Sequence, residues 1–294
     1  MIDLHIHTTA SSDGQHSPRE IFEMAQALSL RAIAFADHNS ADSLAEGERL
    51  SAQFGIAFVP GIEFDTAFRD RDLHLLAYFL DHRSAELKRW IAQIFQAKLD
   101  QTRKRVQRLN ALGFVLDFDE LMQESGGTLP TGNTYVRAMW KHPENQDDPR
   151  LRAFIDGPRS NSPFLNFYLD YLRAGQPAFV PLSIQATPGA IQKILGLAGI
   201  PVLAHPSDTP LPDVHALIDL GLRGLEVYSS YHDAAATAKF LDLAQARGVL
   251  ITAGSDFHGK KIKPDVDLAG IPGNEDELFE RLCQAAGRSS FRPG

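Results

Sequence analysis

Histidine and carboxylate residues recur along this 294-residue sequence at the ends of short apolar segments. His5 and His7 are two residues apart, as are Asp256 and His258. Side chains at positions i and i+2 of a strand point to the same face, so each pair can converge on one centre. Imidazole and carboxylate ligands without thiolate suit Zn, Mn or Fe in a hydrolytic site. The residues that form this pattern are His5, His7, Asp13, Asp37, His38, Glu63, His74, His205, Glu226, His232, Asp256 and His258.

Each member of this pattern also has a structural interpretation. An isolated histidine beside a strand is usually just hydrogen-bonded, and Asp13 and Asp37 taken singly are typical of turns or helix caps. The complete set is different, because burying many titratable groups at one end of a sheet is costly without cations to pair with them. The joint pattern therefore predicts a metal centre, in which a carboxylate such as Glu63 can bridge two ions.

Apolar segments of strand length, each bounded by turn or helix signals, predict seven buried strands. They cover residues 2–8, 32–36, 57–64, 73–80, 200–204, 224–228 and 249–253. One-sided helical patterns lie between several of them, at residues 18–30, 43–54, 212–220 and 233–247. Alternation of strand and helix predicts parallel pairing, and β/α barrels carry their catalytic groups at the C-terminal ends of the strands. The predicted fold is α/β, a distorted seven-stranded β/α (TIM-like) barrel.

The alternation of strands and helices is interrupted once. A long helical segment at residues 84–112 is followed by a stretch rich in Gly, Pro and Asn and by a further helical segment at 164–173. We therefore predict a metal-binding barrel formed by residues 1–83 and 181–294, and an inserted helical lid subdomain formed by residues 84–180.

Composition and charge disfavour several classes of protein. The formal net charge of −8 argues against a duplex DNA-binding surface, which needs clustered Lys and Arg to neutralise phosphates. The single cysteine, Cys283, excludes an internal disulfide and a thiolate metal cluster. The sequence lacks an apolar run of about 18 residues and the pattern of a signal peptide. We expect a cytoplasmic protein that binds neither duplex DNA nor membranes.

An ordered series of short motifs spans nearly the whole chain: HxH followed by SSDG, then ADH, GIEF, LHLLAY, LAHP, GLEVYSSYH and GSDFHG. This series resembles the PHP (polymerase and histidinol phosphatase) family. The chain length, the insertion after the fourth strand and the closing GSDFHG resemble the bacterial branch that acts on nucleoside 3′,5′-bisphosphates and on 5′-phosphorylated short RNA. The resemblance implies a barrel of the PHP type and a metal-dependent phosphoric monoester hydrolase, with 5′ exonuclease activity as a further expectation.

The resemblance also implies a role for each candidate residue. It implies two to three divalent ions, with Mn favoured and Fe or Zn as alternatives. Asp37 is expected to orient a ligand or a water molecule. His232 is expected to contact phosphate or protonate the leaving group, with a purely structural hydrogen bond as the alternative. The implied ligands are His5, His7, Glu63 and Asp256 for the first ion, Asp13, His38 and His258 for the second, and Glu63, His74 and His205 for the third.

Two segments depart from the pattern of that branch. The second motif usually continues as DHD, whereas this chain has Asn39. Within the insert the branch typically shows Gly-Arg-Pro-His, whereas this chain reads Gly-Asn-Thr-Tyr at residues 132–135. Arg137 is a candidate substitute for the missing arginine, with an ordinary surface arginine as the alternative. Lys260 and Lys261, just after GSDFHG, are the other candidate substrate-binding residues.

Three hypotheses from different classes follow from these observations. The first is a phosphatase acting on small nucleotides or short RNA ends, and the second is a phosphatase for a non-nucleotide metabolite such as an amino-alcohol phosphate, for example histidinol phosphate. The third is a metal-holding interaction module without turnover. The complete ligand set argues against the third hypothesis, while the altered segment 132–135 leaves the choice between the first two open.

Overall fold

Seven β-strands pair in chain order within the computed structural model, which describes residues 1–69, 71–182 and 186–288. Hydrogen bonds at the C-terminal ends of the first and last strands, from His7 N to Phe257 O and from Asp256 N to His5 O (both 2.9 Å), join the two edges of the sheet. The predicted seven-stranded barrel is thereby confirmed. The strands are β1 Ile2–Ile6, β2 Ala32–Phe35, β3 Ala57–Phe68, β4 Arg71–Tyr78, β5 Ile200–Leu203, β6 Gly224–Ser229 and β7 Leu250–Gly254.

Helices connect most of these strands. The first, α1, begins with a capping box, in which the Ser17 hydroxyl accepts from Glu20 N while the Glu20 carboxylate accepts from Ser17 N. The described helices are α1 Pro18–Ala27, α2 Leu44–Phe54, α3 Ala85–Ala111, α4 Phe118–Glu124, α5 Gly132–Trp140, α6 Pro143–Gln146, α7 Pro149–Ile155, α8 Pro163–Phe167, α9 Thr187–Gly196, α10 Leu211–Asp219, α11 Ala234–Arg247 and α12 Asp276–Ala285.

The direction of β4 differs from the prediction. Pairing is parallel in β1–β2–β3 and in β5–β6–β7, but β4 pairs antiparallel with β5, so uniform parallel pairing is wrong for this strand. The reason is the connection from β3, which ends at Phe68, to β4, which begins at Arg71. A parallel crossover needs a dozen or more residues, whereas so short a link allows only a hairpin.

The reversal of β4 determines where His74 lies. Leu75 pairs with Leu203, and Ala204 N donates to His74 O (3.0 Å). The first half of β4 therefore lies beside the C-terminal end of β5. His74 reaches the end of the barrel at which the parallel strands finish, although it does not follow the end of its own strand.

The chain divides into two compact units. One comprises Met1–Phe68, Leu73–Ile91 and Gln185–Gly294, and the other comprises Arg69–Asp72 and Ala92–Ile184. The first unit contains the barrel. The second has its own apolar core, which includes Leu109, Tyr135 and Phe167. The division predicted at residues 84 and 180, and the lid function of the insert, stay predictions.

Among the described residues, no helix is both long enough and apolar enough to cross a membrane.

We predict that Phe22→Ala lowers the free energy of unfolding by about 3–5 kcal/mol, the usual cost of truncating a buried phenylalanine. Phe22 is fully buried, and its ring lies within 5.6–6.1 Å of the ring centroids of Phe35, Phe54 and Phe58. Leu28→Ala, at an exposed position near the end of the same helix, should change stability by less than about 0.5 kcal/mol. Denaturant titration of both variants measures the difference, and equal costs would contradict this packing.

Candidate metal centre

Four side chains meet in a buried group: His5 on β1, His7 just after β1, Glu63 on β3 and Asp256 in the loop after β7. His5 Nε2 and His7 Nε2 are 3.1 Å apart. Glu63 Oε2 lies 3.3 and 3.2 Å from these two nitrogens, and Asp256 Oδ1 lies 3.4 and 3.1 Å from them. Ligand atoms about 2.1 Å from a tetrahedral or octahedral ion lie about 3.0–3.4 Å apart. The four atoms therefore have the mutual spacing of ligands around one divalent ion.

Hydrogen bonds on the far side of each ring indicate which nitrogen carries the proton. Glu226 Oε1 lies 3.0 Å from His5 Nδ1 and accepts its N–H, which leaves a lone pair on His5 Nε2. Ser11 Oγ donates to Asp13 Oδ1 (2.5 Å), so at 3.3 Å it accepts the N–H of His7 Nδ1. Two lone pairs and two carboxylate oxygens thus face one another. A cation removes the repulsion that this arrangement otherwise creates.

A second group adjoins the first through stacked rings. The rings of His7 and His258 are 3.8 Å apart, and His258 Nε2 lies 3.3 Å from Asp13 Oδ2. His38 Nε2 lies 3.6 Å from the same oxygen. Burial, with the nearby His7 and Lys263, lowers the pKa of His258 to about 4, which keeps its imidazole neutral and able to act as a ligand. Its Nδ1–H is directed to Asp256 O at 2.9 Å.

The third group shares Glu63 with the first. Glu63 Oε1 lies 2.9 Å from His74 Nδ1 and 3.2 Å from His205 Nε2, whereas Oε2 faces His5 and His7. One carboxylate thus directs its two oxygens to different groups of imidazoles. This is the arrangement expected of a carboxylate that bridges two ions.

Buried polar atoms without hydrogen-bond partners test whether these residues fit metal ions. Among the described residues, such atoms include His38 Nδ1, Glu63 Oε2, His74 Nδ1 and Asp256 Oδ1. Buried polar groups are normally paired, and each exception needs a physical explanation. Because Glu63 Oε2, His74 Nδ1 and Asp256 Oδ1 face other ligands of the groups just described, divalent ions with nitrogen and oxygen ligands fit the residues present.

The two residues predicted to act beside the metals lie outside the three ligand groups. Buried Asp37 accepts hydrogen bonds from Thr8 N (2.6 Å) and the Ser43 hydroxyl, and so fixes the segment that follows β1. His232 directs Nδ1 to Val227 O (2.8 Å), while its buried Nε2 has no hydrogen-bond partner. Burial lowers the pKa of His232, so its imidazole is neutral near pH 7.

Each of the three predicted substrate-binding residues contacts a partner within its own unit. Arg137 donates through Nε to Glu124 Oε1 (2.6 Å) within the second unit. Lys260 pairs with Asp267 Oδ1 (2.7 Å). Lys261 is exposed, and its backbone N–H donates to Gln15 Oε1 (2.9 Å). Their role in substrate binding stays a prediction.

Sequence reasoning missed the lysine that contacts the centre. Lys263 Nζ lies 2.5 Å from Asp256 Oδ2 and 2.6 Å from the Tyr231 hydroxyl, and its side chain is 12% exposed. Burial would lower the pKa of Lys263, but the charge of Asp256 raises it, so the ammonium stays charged. Asp256 therefore directs Oδ1 to the histidines and Oδ2 to a fixed cation. The run KKIK contains this lysine but does not distinguish it from its exposed neighbours.

Two further carboxylates also contact the ligands. Glu226 belongs to the sequence pattern, but the pattern gives it no role; in the structure it holds His5 Nδ1 and accepts from His205 N (2.9 Å). Asp65 lies beside His38 and His74, at 3.4 and 3.3 Å. Carboxylates that orient ligating histidines are a common feature of metal sites.

Comparison with known proteins agrees with this description. Residues 3–129 match the family model described as PHP domain. A curated relative, the 3′,5′-nucleoside bisphosphate phosphatase of Chromobacterium violaceum, is 27% identical over 263 residues and is aligned over 87% of each chain. The phosphoribosyl 1,2-cyclic phosphate 1,2-diphosphodiesterase of Eggerthella lenta is 23% identical, over 88% of this chain and 94% of its own. A 5′-3′ exoribonuclease of Haemophilus influenzae is 25% identical, over 69% of this chain and 68% of its own.

A solved structure shares the fold over almost the whole chain. It is the structure of a candidate metal-dependent phosphoesterase from Bifidobacterium adolescentis. The TM-score is 0.74 at 25% identity, and the match covers 97% of this chain and 96% of that one. The barrel and its ligand groups define the class of metal-dependent α/β-barrel hydrolases. Within that class, this chain is a phosphoesterase that is similar to proteins with a PHP domain. The predicted fold class and general activity are confirmed, and the match over residues 3–129 supports the predicted resemblance to the PHP family.

We predict that His7→Ala and Asp256→Ala each empty the first ion position and lower turnover at least about 100-fold, because the charge that an ion supplies to the reaction is lost. Elemental analysis should find fewer ions per chain, while circular dichroism shows an intact barrel. His142→Ala is the matched control, since His142 lies in the second unit, where it pairs with Glu120 at 2.8 Å. Near-normal turnover with a full complement of ions in His7→Ala or Asp256→Ala would contradict the assignment.

Proposed function

We propose that the protein hydrolyses a phosphomonoester, either of a nucleoside 3′,5′-bisphosphate or at the 5′ end of a short RNA. The observation that carries the proposal is the division of Glu63 between two groups of imidazoles, which gives the site the form of a multi-ion centre. Relatives that act on a nucleoside bisphosphate and on RNA support the substrate class. A cytoplasmic location and the absence of duplex DNA and membrane partners stay predictions from the sequence.

Two to three divalent ions are proposed for this centre, with manganese favoured and iron or zinc as alternatives. The all-nitrogen and oxygen ligand set suits each of these metals. When bound, such ions supply the positive charge that activates water and neutralises phosphoryl oxygens. The proposed ligands are His5, His7, Asp13, His38, Glu63, His74, His205, Asp256 and His258.

Residues outside the proposed ligand set orient the ligands and hold protons at particular nitrogen atoms. Lys263 holds Asp256 Oδ2, which keeps the other oxygen directed to the histidines. Glu226 and Asp37 hold the segments that carry the ligands. His232 keeps its proton on Nδ1, so its Nε2 is a hydrogen-bond acceptor. We therefore favour a contact between His232 and a substrate hydroxyl or a water molecule over protonation of the leaving group.

A phosphatase for a non-nucleotide metabolite is the second candidate, favoured by the segment 132–135. Tyr135, which stands where the resembled branch has histidine, is fully buried and stacks on Phe167 at 5.8 Å. Adding a Cβ to Gly132 would bring it within 2.1 Å of Phe164 O. This segment therefore serves the core of the second unit, and Tyr135 is not available to a substrate.

Product release from a panel of substrates separates the two candidates, with inorganic phosphate measured for the small phosphate esters and both phosphate and nucleoside 5′-monophosphate measured for the RNA. With Mn²⁺ supplied, we expect hydrolysis of a nucleoside 3′,5′-bisphosphate and of a 5′-phosphorylated oligoribonucleotide. The panel also contains a 5′-monophosphate, histidinol phosphate and a sugar phosphate, with His7→Ala as the control for contaminating phosphatases. Efficient cleavage of the amino-alcohol phosphate without nucleotide hydrolysis would select the second candidate.

We predict that Asn133→Arg increases the preference for the bisphosphate over the 5′-monophosphate. The motif resemblance places an arginine at this position, and a second phosphate needs a positive partner. The wild-type preference should be modest, because this arginine is absent. Discrimination is the ratio of the two kcat/KM values, measured in both proteins. Gln123→Arg adds the same charge at an exposed position of the second unit and should leave the ratio unchanged; an equal effect of both substitutions would contradict a specific role for position 133.

A further inference from the structure

Asp65 faces two of the candidate ligands at once. It lies two residues after Glu63 on β3, so both side chains point to the same face of the strand. One oxygen, Asp65 Oδ1, is 3.4 Å from His38 Nδ1 and 3.3 Å from His74 Nε2. These two histidines belong to the second and third ligand groups. A single carboxylate oxygen thus lies between two ion positions.

The opposite nitrogens of the same two rings face the ion positions. His38 Nε2 lies 3.6 Å from Asp13 Oδ2 in the second group, and His74 Nδ1 lies 2.9 Å from Glu63 Oε1 in the third. A neutral imidazole has one lone pair and one N–H, and ligation by one nitrogen requires an acceptor for the N–H of the other. Asp65 Oδ1 is at the right place to be this acceptor for both rings. At His38 Nδ1 it shares this role with Glu63 Oε2, which lies 3.2 Å from the same nitrogen.

His38, Asp65 and His74 also have the spacing of a possible ligand group, but direct ligation by Asp65 conflicts with the second and third groups. It would require lone pairs on His38 Nδ1 and His74 Nε2. The protons would then lie on the nitrogens that face Asp13 and Glu63, and the second and third groups would each lose a ligand. An orienting role for Asp65 keeps both groups complete.

The other oxygen of Asp65 is fixed by Asn39. The Asn39 amide donates from Nδ2 to Asp65 Oδ2 (2.7 Å), and Asp65 N donates to Asn39 Oδ1 (3.2 Å). An aspartate at position 39, the residue usual in the resembled branch, would place two carboxylate oxygens where this hydrogen bond now lies. An amide at position 39 therefore suits an acidic side chain at position 65, because it donates the hydrogen bond that a second carboxylate could not donate. The departure from DHD in this chain is explained by its partner on β3.

We propose that Asp65 is a positioning residue that accepts the N–H groups of His38 and His74 and thereby couples the second and third ion positions. The inference rests on the proposed multi-ion centre. It assigns this chain a carboxylate outside the ligand set that orients two ligands together. Removal of its charge should weaken both positions and leave the first one unaffected.

Chelator-competition titrations with Mn²⁺ test the proposal in the full-length protein. In Asp65→Asn we expect two of the bound ions to bind about 10- to 100-fold more weakly, the usual effect of losing an orienting partner, and one ion to keep its affinity. The thermal midpoint of the metal-free protein should not change. Asp42→Asn makes the same chemical change at an exposed position and should match wild type.

A residue swap distinguishes the position of the carboxylate from its charge. Asn39→Asp combined with Asp65→Asn keeps an amide–carboxylate pair and the net charge, but it moves the carboxylate to position 39. We expect the swap to bind the two ions as weakly as Asp65→Asn does. Recovery of wild-type metal affinity in the swap would overturn the proposal. Three results for Asp65→Asn would also overturn it: unchanged metal affinities, equally weakened binding of all ions, or a lowered thermal midpoint of the metal-free protein. Wild-type protein that binds no ion would refute the proposed function instead.

Discussion

A buried negative charge, the carboxylate of Glu63, determines how the rest of the centre is built. Its side chain is 1% exposed, and an unpaired charge in that position would cost several kcal/mol. Burial would raise the pKa of Glu63, but His74, His5 and His38 hold it well below its usual range. Conversely, burial would lower the pKa of His38, while Glu63, Asp13 and Asp65 raise it to about 10. Protons and metal ions therefore compete for the same groups.

Hydrogen bonds around the centre keep these ligand atoms available to a cation, because they hold the imidazole protons on the outer nitrogens. Glu226 and Ser11 accept the outer N–H groups of His5 and His7, which leaves the inner nitrogens as bases. The backbone contributes as well, since His205 and Asp256 have positive φ values of 26° and 58°, which are unfavourable for residues with a side chain. Such strain persists only where surrounding contacts impose it, and here it directs the two side chains inward.

The sequence was sufficient to predict the barrel and the residues that the structure brings together in the candidate centre, because strand ends and i, i+2 spacing define their positions by backbone geometry alone. The predicted direction of β4 was wrong, because an apolar pattern does not report strand direction. The short link after Phe68 was the available signal. Asp65 was missed because β3 was predicted to end at residue 64, although it obeys the same spacing rule as His5 and His7. Lys263 was missed because a run of lysines does not reveal which side chain points inward.

The content of divalent metal in the purified protein tests this account most directly. Elemental analysis of folded protein, before and after incubation with Mn²⁺ or Zn²⁺ and removal of excess metal, measures the number of ions per chain. The arrangement of lone pairs and carboxylates around Glu63 predicts two to three ions. A folded protein that contains almost no metal, and that takes up none when Mn²⁺ or Zn²⁺ is supplied, would contradict the account.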